Sequence, residues 1–583
     1  MKKLLFIIVF TAAVFPAVGQ WSDNPEQNNQ IIFESMYDWD ARILSDGSSI
    51  VYYNRSSRTL INQDTVFSIK HVLVRYNADG TPAWDEPLIV ANTPNHTFVM
   101  VNDHLFINSE DEIYLGVSDC RYDTGDWARM SLTVYKISKD GEQLWGDTGV
   151  SIDRQLHGMI AQSNAIALED ASVIIAWEDG YYSSAPSTRT KIARISSQGE
   201  VLWNKELSPA GQTAKVVNGG NNEFIIIYMS GSSIQAQKLD FNGERLWGPN
   251  VIYDKGGWPS APMHTNLKVV PVERGAFVSW YADPDANRAE DAYCSYINLN
   301  GELLASGTSG LKLGYSGLRQ FSPRGVYDPA NKCVYYIWSE MNAGQDWSGM
   351  KGQKVFLTGE FGWDANAVWV GPYLKRRVGY SDVSIDNEGN PCFFYLEETK
   401  SVSDYTGFAQ KRTPTGDSLW NTIFTKIVDD EDHIYNKTDL AVLPFVQNQW
   451  IALWKDNRPI ATSLSGEHFI WGQNILGDGT LGSGIVAIET VKTKTLRPGT
   501  SFGATLNPVS DNTSFVVKDM KGEKVEIFIS NAMGQKVTTL FNGVIGSNEQ
   551  QITWNIPAQV SKGVYFATLR SGQRNETVKV IKN

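Results

Sequence analysis

Cysteine is almost absent from this sequence: four in 583 residues, at Cys120, Cys294, Cys333 and Cys392. That is too few for a disulfide framework in so long a chain. Cys333 and Cys392 stand at matching places in successive copies of a repeat, so they read as small buried hydrophobes. Equivalent strands of separate units would not meet the ~4.4–6.8 Å Cα spacing of a disulfide. Positive charge is also short, with 51 Lys and Arg against 64 Asp and Glu and a net charge of -13. Nucleic acids and anionic membranes select basic patches, so neither is an expected partner. After the first residues no apolar run approaches the ~18–20 residues of a membrane helix. The body shows no helical period of 3.6. His-Glu-x-x-His, Walker and Rossmann texts are missing as well.

What is present is a repeat. A turn glycine, an acid in many copies, and then Leu-Trp recur at Gly141 to Trp145, Gly199 to Trp203, Gly243 to Trp247 and Gly416 to Trp420. Looser copies start at Gly80, Gly301, Gly359 and Gly479, so the glycines are spaced by 61, 58, 44, 58, 58, 57 and 63 residues. Each copy holds a weak apolar segment and then a strong β-branched and aromatic run, such as Val173 to Trp177 or Val334 to Trp338. A third strand follows, such as Lys191 to Ile195, and the Leu-Trp opens a fourth. Four short strands in about 58 residues make one blade of a propeller, a little larger than the ~40–50 residues of the WD and kelch types. The expected fold is all-β: an eight-bladed propeller, or a seven-bladed one, because the Phe224 unit is short and two copies lack the tryptophan. The blade tryptophans Trp84, Trp145, Trp203, Trp247, Trp363 and Trp420 are expected to fill the gaps between blades, since an aromatic buries ~150–250 Å². Trp21 lies 63 residues before Trp84, one repeat period. The segment after Gln20 is therefore expected to close the ring as the outer strand of the last blade, where Leu481 replaces tryptophan; pairing first with last removes two open edges.

The termini carry an address. Met1-Lys2-Lys3, the apolar run Leu4 to Phe15 and the small residues Ala17-Val18-Gly19 read as a secretory signal peptide over residues 1–19, with Gln20 as mature start. The propeller is placed at 20–490 and a Pro- and Gly-bearing linker at 491–506. The remainder, 507–583, alternates short strands in the manner of a small β-sandwich. There, Leu506-Asn507-Pro508-Val509, Ile529-Ser530-Asn531-Ala532-Met533-Gly534-Gln535-Lys536-Val537 and Lys562-Gly563-Val564-Tyr565-Phe566 stand in order, closing on Lys579-Val580-Ile581-Lys582. This text resembles the type A C-terminal sorting domain of proteins exported by the type IX secretion system, with Asn507, Pro508, Gly534, Gln535, Gly563 and Tyr565 as its landmarks. The resemblance implies export across the outer membrane. It also implies removal of the tail on release or on attachment to surface lipopolysaccharide, and the secretion machinery as partner.

Chemistry is harder to find. Gly499-Thr500-Ser501-Phe502-Gly503 matches a serine-hydrolase text but lies in a linker, without the strand and helix that text needs. Asp283-Pro284-Asp285-Ala286-Asn287 starts like a calcium loop, but Arg288 and Cys294 occupy the glycine and glutamate places. Asp386-Asn387-Glu388-Gly389 reads as a β-turn. Aromatic-x-acid endings recur at Trp177/Asp179, Tyr281/Asp283, Trp338/Glu340 and Trp454/Asp456, which suits acids accepting backbone N–H groups at strand exits. Loops after the second strand and loops leading into the next blade open on one face. They carry Trp39, His157, Trp258, His264, Tyr315, Arg319, Tyr373, Arg376, Tyr380, His433, Tyr435 and Arg458. From this set His157, Trp258, His264, Arg319, Tyr380, His433 and Arg458 form the candidate ligand face. The expectation is a monomeric, secreted or surface-attached binding or scaffold module for an extracellular glycan or protein, with no catalytic residue, cofactor or metal. The alternatives are a glycan-active hydrolase or lyase on the same face, where paired carboxylates would do acid/base work, and a purely structural surface-layer component.

Overall fold

A computed structural model describes residues 20–34, 36, 38–61, 64–94, 104–119, 121, 131–154, 159–180, 188–231, 233–254, 267–283, 289–398, 405–420, 424–429, 437–458, 468–482, 502–504, 512–518, 520–531, 536–557, 560, 563–572 and 574–582. The chain divides into two compact units, Met1–Ile485 and Val486–Asn583. Among the described residues both are built of strands, with one short 3-10 turn at Gly307–Ser309 and no α-helix.

The described residues of the first unit form eight four-stranded antiparallel sheets, numbered 1 to 8 here in chain order of their first strands. Those first strands are Trp39–Ile43, His104–Ile107, Met159–Ala167, Gly211–Gly220, Lys268–Val272, Arg319–Asp328, Val378–Ile385 and Lys437–Val446. The strong apolar runs are the second strands, buried on both sides: Val173–Gly180 and Cys333–Met341 are nearly or wholly enclosed along their length. Burial on two faces is why they read as continuous apolar runs instead of alternating ones. Each first strand lies against the first strand of the next sheet, and that of sheet 8 lies against that of sheet 1. The innermost strands thus form a closed circle.

The last sheet is completed from the other end of the unit. Asn29–Gln30 pairs antiparallel with Gly472 and Trp471, and the amides of Ile31 and Ile32 donate to Ile470 O at 2.8 and 3.1 Å. Trp21, Ile31, Ile32 and Met36 are buried in one apolar cluster with side chains of sheets 1 and 8.

The tryptophans follow one rule between sheets. Each lies on the turn glycine of the next sheet, and its Nε1–H donates to the carbonyl two residues before that glycine. Trp84 reaches Lys139 O at 3.2 Å, Trp145 reaches Ser197 O at 3.1 Å and Trp203 reaches Phe241 O at 3.0 Å. Trp247 reaches Leu299 O at 2.9 Å, Trp363 reaches Pro414 O at 3.1 Å and Trp420 reaches Gly477 O at 3.2 Å. Trp21 makes the same bond to Ala78 O at 2.9 Å, over Gly80. The one exception is Leu304, which covers Gly359 in the absence of an indole. The glycine is required twice over at Gly479: its φ is +89°, and a Cβ would sit 2.6 Å from the Trp420 ring. Only in sheets 3 and 4 does the tryptophan lie inside the fourth strand; in sheets 1, 2, 6 and 7 the strand begins a few residues later.

The second unit has a three-stranded sheet (Phe502–Ala504, Asn512–Lys518, Glu549–Asn555) and a four-stranded one (Lys536–Val544, Lys524–Asn531, Gly563–Ser571, Arg574–Lys582). Phe515 and Trp554 from the first share one core with Ile527, Ile529 and Leu569 from the second. Cys294, Cys333 and Cys392 are free and buried, while Cys120 lies outside the described residues.

Candidate functional site

The eight first strands share one equivalent position. The register identifies it as the residue opposite the one preceding the aromatic (Val117 in sheet 2) near the end of the second strand. These residues are Asp40, His104, Asn164, Lys215, Lys268, Arg324, Asp382 and Ala441, opposite Tyr52, Gly116, Ala176, Ile227, Ser279, Ile337, Phe394 and Leu453. In sheets 3, 4, 6, 7 and 8 the register shifts just before this position. Thr213, Ser322, Tyr380 and Asp439, each two residues upstream of it, have φ of 51°, 54°, 45° and 53°. Bulges of this kind re-aim the following side chain. Asp40, His104 and Lys268 stand at or next to the start of their strands, and the other five stand near the middle of theirs.

Part of this ring ties sheets together. Asp40 Oδ2 accepts from Leu105 N at 3.4 Å, Asn164 Oδ1 from Val216 N at 2.8 Å and Asp382 Oδ2 from Val442 N at 3.0 Å. His104 has a backbone hydrogen bond with Ala165. The Asp40, Asn164 and Asp382 bonds each run to the amide just after the next ring residue, and His104 bonds the backbone of Ala165, just after Asn164. Lys215, Lys268 and Arg324 interrupt this series, because an ammonium or guanidinium has no acceptor. They are consecutive, so one wall of the ring carries donors alone. Arg324 has Asp382 at 3.9 Å. Lys215 and Lys268 have no hydrogen-bond or ion-pair partner among the described residues, and both side chains are half-buried.

Charge influences run across the circle as well as around it. Lys215 of sheet 4 is influenced by Asp40 and Arg42 of sheet 1, which are not its neighbours in the circle. Burial lowers the Lys215 pKa, against the pull of Glu178 and Asp40. Burial, reinforced by the positive charges of Arg324 and Lys215, brings the Lys268 ammonium down to about 8. Burial holds His104 well below the usual imidazole range, with Arg42 and Lys215 adding to the effect. Burial raises Asp382, although Arg324 opposes it. Periodic motifs could not reveal this cluster, since it takes one residue per sheet and in five of the eight sheets a bulge displaces that residue from simple alternation.

Of the sequence-predicted ligand face, His157, Trp258, His264 and His433 lie outside the described residues. Arg319 is held by Glu290 through bonds of 2.6 and 2.8 Å. Arg458 is buried, bonded to Asp456 at 2.7 Å and stacked 4.2 Å over Trp471. Tyr380 is 39 % exposed and meets Tyr405 edge-on. The structure brings none of these three together with another. The acids of the aromatic-x-acid endings have several partners: Glu340 and Asp456 accept from the indoles of Trp338 and Trp454 at 3.3 and 3.2 Å, and Asp179 pairs with Lys191 at 2.9 Å. Asp456 also accepts the amide of Arg458 at 3.0 Å, the strand-exit role. The Asp386 turn is closed by amides of Glu388 and Asn390 at 2.9 and 2.8 Å. Among the described residues no three His, Cys, Asp or Glu side chains gather as a metal site would. In the second unit Tyr565 is buried and edge-on to Trp554, and Gly563 pairs with Lys582. Asn507, Pro508, Gly534 and Gln535 lie outside the described residues.

Among solved structures the chain is similar to a polysaccharide lyase, Uly1, at 10% identity over 68% of this chain and 94% of that one, with a TM-score of 0.37. It is similar also to the GH93 α-L-arabinofuranosidase of Fusarium graminearum at 11% identity, covering 79% and 98%, with a TM-score of 0.32. The endo-arabinase from Bacteroides thetaiotaomicron gives 6% identity, 46% and 95% coverage, and a TM-score of 0.29. Likeness this loose carries no argument about site or activity. No curated protein matches the sequence. Residues 507–583 match the family model of the secretion system C-terminal sorting domain. No helix among the described residues is long and apolar enough to cross a membrane. A tail of this family marks its carrier for secretion or for attachment to the outer-membrane surface, and the chain carries, at its C-terminus, a sorting domain of the type IX secretion system.

Proposed function

We propose that residues 20–490 form an eight-bladed β-propeller that works outside the cell as a binding module for an extracellular glycan or protein. Residues 1–19 act as the signal peptide, 491–506 as a linker and 507–583 as a small β-sandwich read by the export machinery. The observation that carries this reading is the closed circle of first strands with a mostly polar layer at its centre. A concave site ringed by a few convergent polar groups is the usual form of a ligand pocket. In the sequence, Trp258, His264, His157 and His433 fall in segments that connect one sheet to the first strand of the next. A glycan and peptide array probed with the full chain tests the reading. Binding that weakens on alanine substitution of Trp258 and His264 together supports it. Tight binding that survives every change across the loop set and the central layer refutes the assigned face.

One observation favours the enzymatic alternative, a glycan-active hydrolase or lyase. A carboxyl with a raised pKa, Asp382, and an amine with a lowered one, Lys268, occupy the same layer. Opposed shifts in one pocket are a mark of acid/base chemistry. Release of reducing ends or unsaturated products from any glycan bound on the array decides between the two.

A further inference from the structure

The wall of Lys215, Lys268 and Arg324 has a property the rest of the layer lacks. Elsewhere, at Asp40, His104, Asn164 and Asp382, a ring side chain already has a bond to the backbone of the next sheet. On this wall three consecutive sheets contribute cations, and two of the three have no partner among the described residues. Like charges held together in a partly dry centre repel one another and lose hydration. The chain as a whole is acidic, so such a cluster is not a by-product of general basic composition. Thr213 and Ser322, in the bulges that aim Lys215 and Arg324, hold positive φ without being glycine. Residues held in such sparsely populated backbone regions collect at ligand clamps.

The flanks narrow the chemistry. Asp382 stands beside the cation wall at one end, and Asn164 and His104 continue the layer at the other. A ligand that lays an anionic group on the wall therefore meets the Asp382 carboxyl on one side and the Asn164 amide on the other, each with hydrogen-bonding capacity beyond its backbone bonds. Further carboxylates, as on an acidic peptide, would be repelled by Asp382, whereas hydroxyls would donate to it. Tyr380, two residues before Asp382 on the same strand, is partly exposed. A layer enclosed by eight strands admits the end of a chain more readily than its middle.

We propose that Lys215, Lys268 and Arg324 bind the carboxylate of a terminal uronic acid in an acidic glycan, with Asp382 and Asn164 taking its hydroxyl groups. This rests on the binding reading above and names the ligand class of that same site.

The test is calorimetric titration of the full chain with a galacturonate oligosaccharide, with its methyl ester and with an oligoglutamate of equal charge. The oligosaccharide binds, and the ester and the peptide bind at least about tenfold more weakly, the loss of one charge-assisted contact. Lys268→Met and Arg324→Gln each weaken the oligosaccharide by about tenfold or more, with unchanged melting temperatures showing that the fold is kept. Equal binding of acid and ester, stronger binding of the peptide, or indifference to both substitutions overturns the proposal. A chain that binds neutral glycans but no uronate overturns it too, while leaving the binding-module reading intact. Failure on every glycan and peptide removes both.

Discussion

Replacing Trp21 by alanine tests whether the chain's first residues complete the circle. Trp21 is 3 % exposed, sits on Gly80 and donates to Ala78 O. Losing it does not orphan that carbonyl, because Gln449 Nε2 also donates to it at 2.7 Å. The cost is therefore the cavity and the lost packing, about 3–5 kcal/mol for a buried tryptophan. Unfolding entropy grows by roughly 2 cal/mol/K per residue, so in a unit of several hundred residues each kcal/mol moves the melting temperature by about 1 °C. Trp21→Ala should then lower it by about 3–5 °C in scanning calorimetry if the unit melts as one. Trp145→Ala, at a half-buried copy of the same contact, should lower it less. Hydrogen exchange adds a local readout: the Ile31 and Ile32 amides, bonded to Ile470 O, should exchange faster in the variant. Removing residues 20–30 should go further and expose the edge of Phe469–Leu476, so that self-association appears in chromatography. Unchanged melting and unchanged exchange at Ile31 in Trp21→Ala would show that the segment merely rests on the circle.

Glu340 Oε2 is sealed from solvent without a hydrogen-bond partner, and burial raises the carboxyl's pKa. Because the folded value exceeds the unfolded one, the wild type loses stability as pH rises through that interval. Glu340→Gln should therefore stabilise at neutral pH by about 1–3 kcal/mol, with the gain vanishing in acid; no gain at any pH refutes the account. Asp386 shows the opposite sign: burial would raise its pKa, but bonds from Lys411 and Asn390 outweigh this and hold it low. Its contribution should be lost as pH falls through the lowered value. Lys411→Met, which strands the buried carboxylate, should cost about 3–5 kcal/mol by chemical denaturation. Lys268 gives a binding prediction, since its ammonium titrates near 8 beside Lys215, Arg324 and Asp382. Affinity for a galacturonate oligosaccharide should fall as pH rises from 7 to 9, and Lys268→Met should flatten that profile.

The strand content and the exported tail were legible in the sequence for definite reasons. Second strands such as Val173–Gly180 are buried on both sides, so they stand out as apolar runs; the tail carries fixed text. The recurring Gly-to-Trp spacing was also visible, but not that each indole serves the following sheet instead of its own. That bond spans 38 to 57 residues and depends on how sheets stack. The central layer was invisible. Lys215, Lys268 and Arg324 sit in segments of no shared text, and the extra residue of each bulge, as before Lys215 and Arg324, breaks the alternation that would point a side chain inward. Arg458 shows the converse error to which loop residues are open: a charged side chain near a strand exit is buried against Asp456 and Trp471.

The two ends of the described circle are neighbours: a Cβ on Gly482 would lie 2.7 Å from Asp23, and Asn474 bonds the Gly482 amide at 3.0 Å. A few added residues would therefore join them, and the break could be moved to any other turn between sheets. Such circular permutants of residues 20–482 should fold to the same architecture. They would also free the front of the chain for a reporter without disturbing the indole now lodged there.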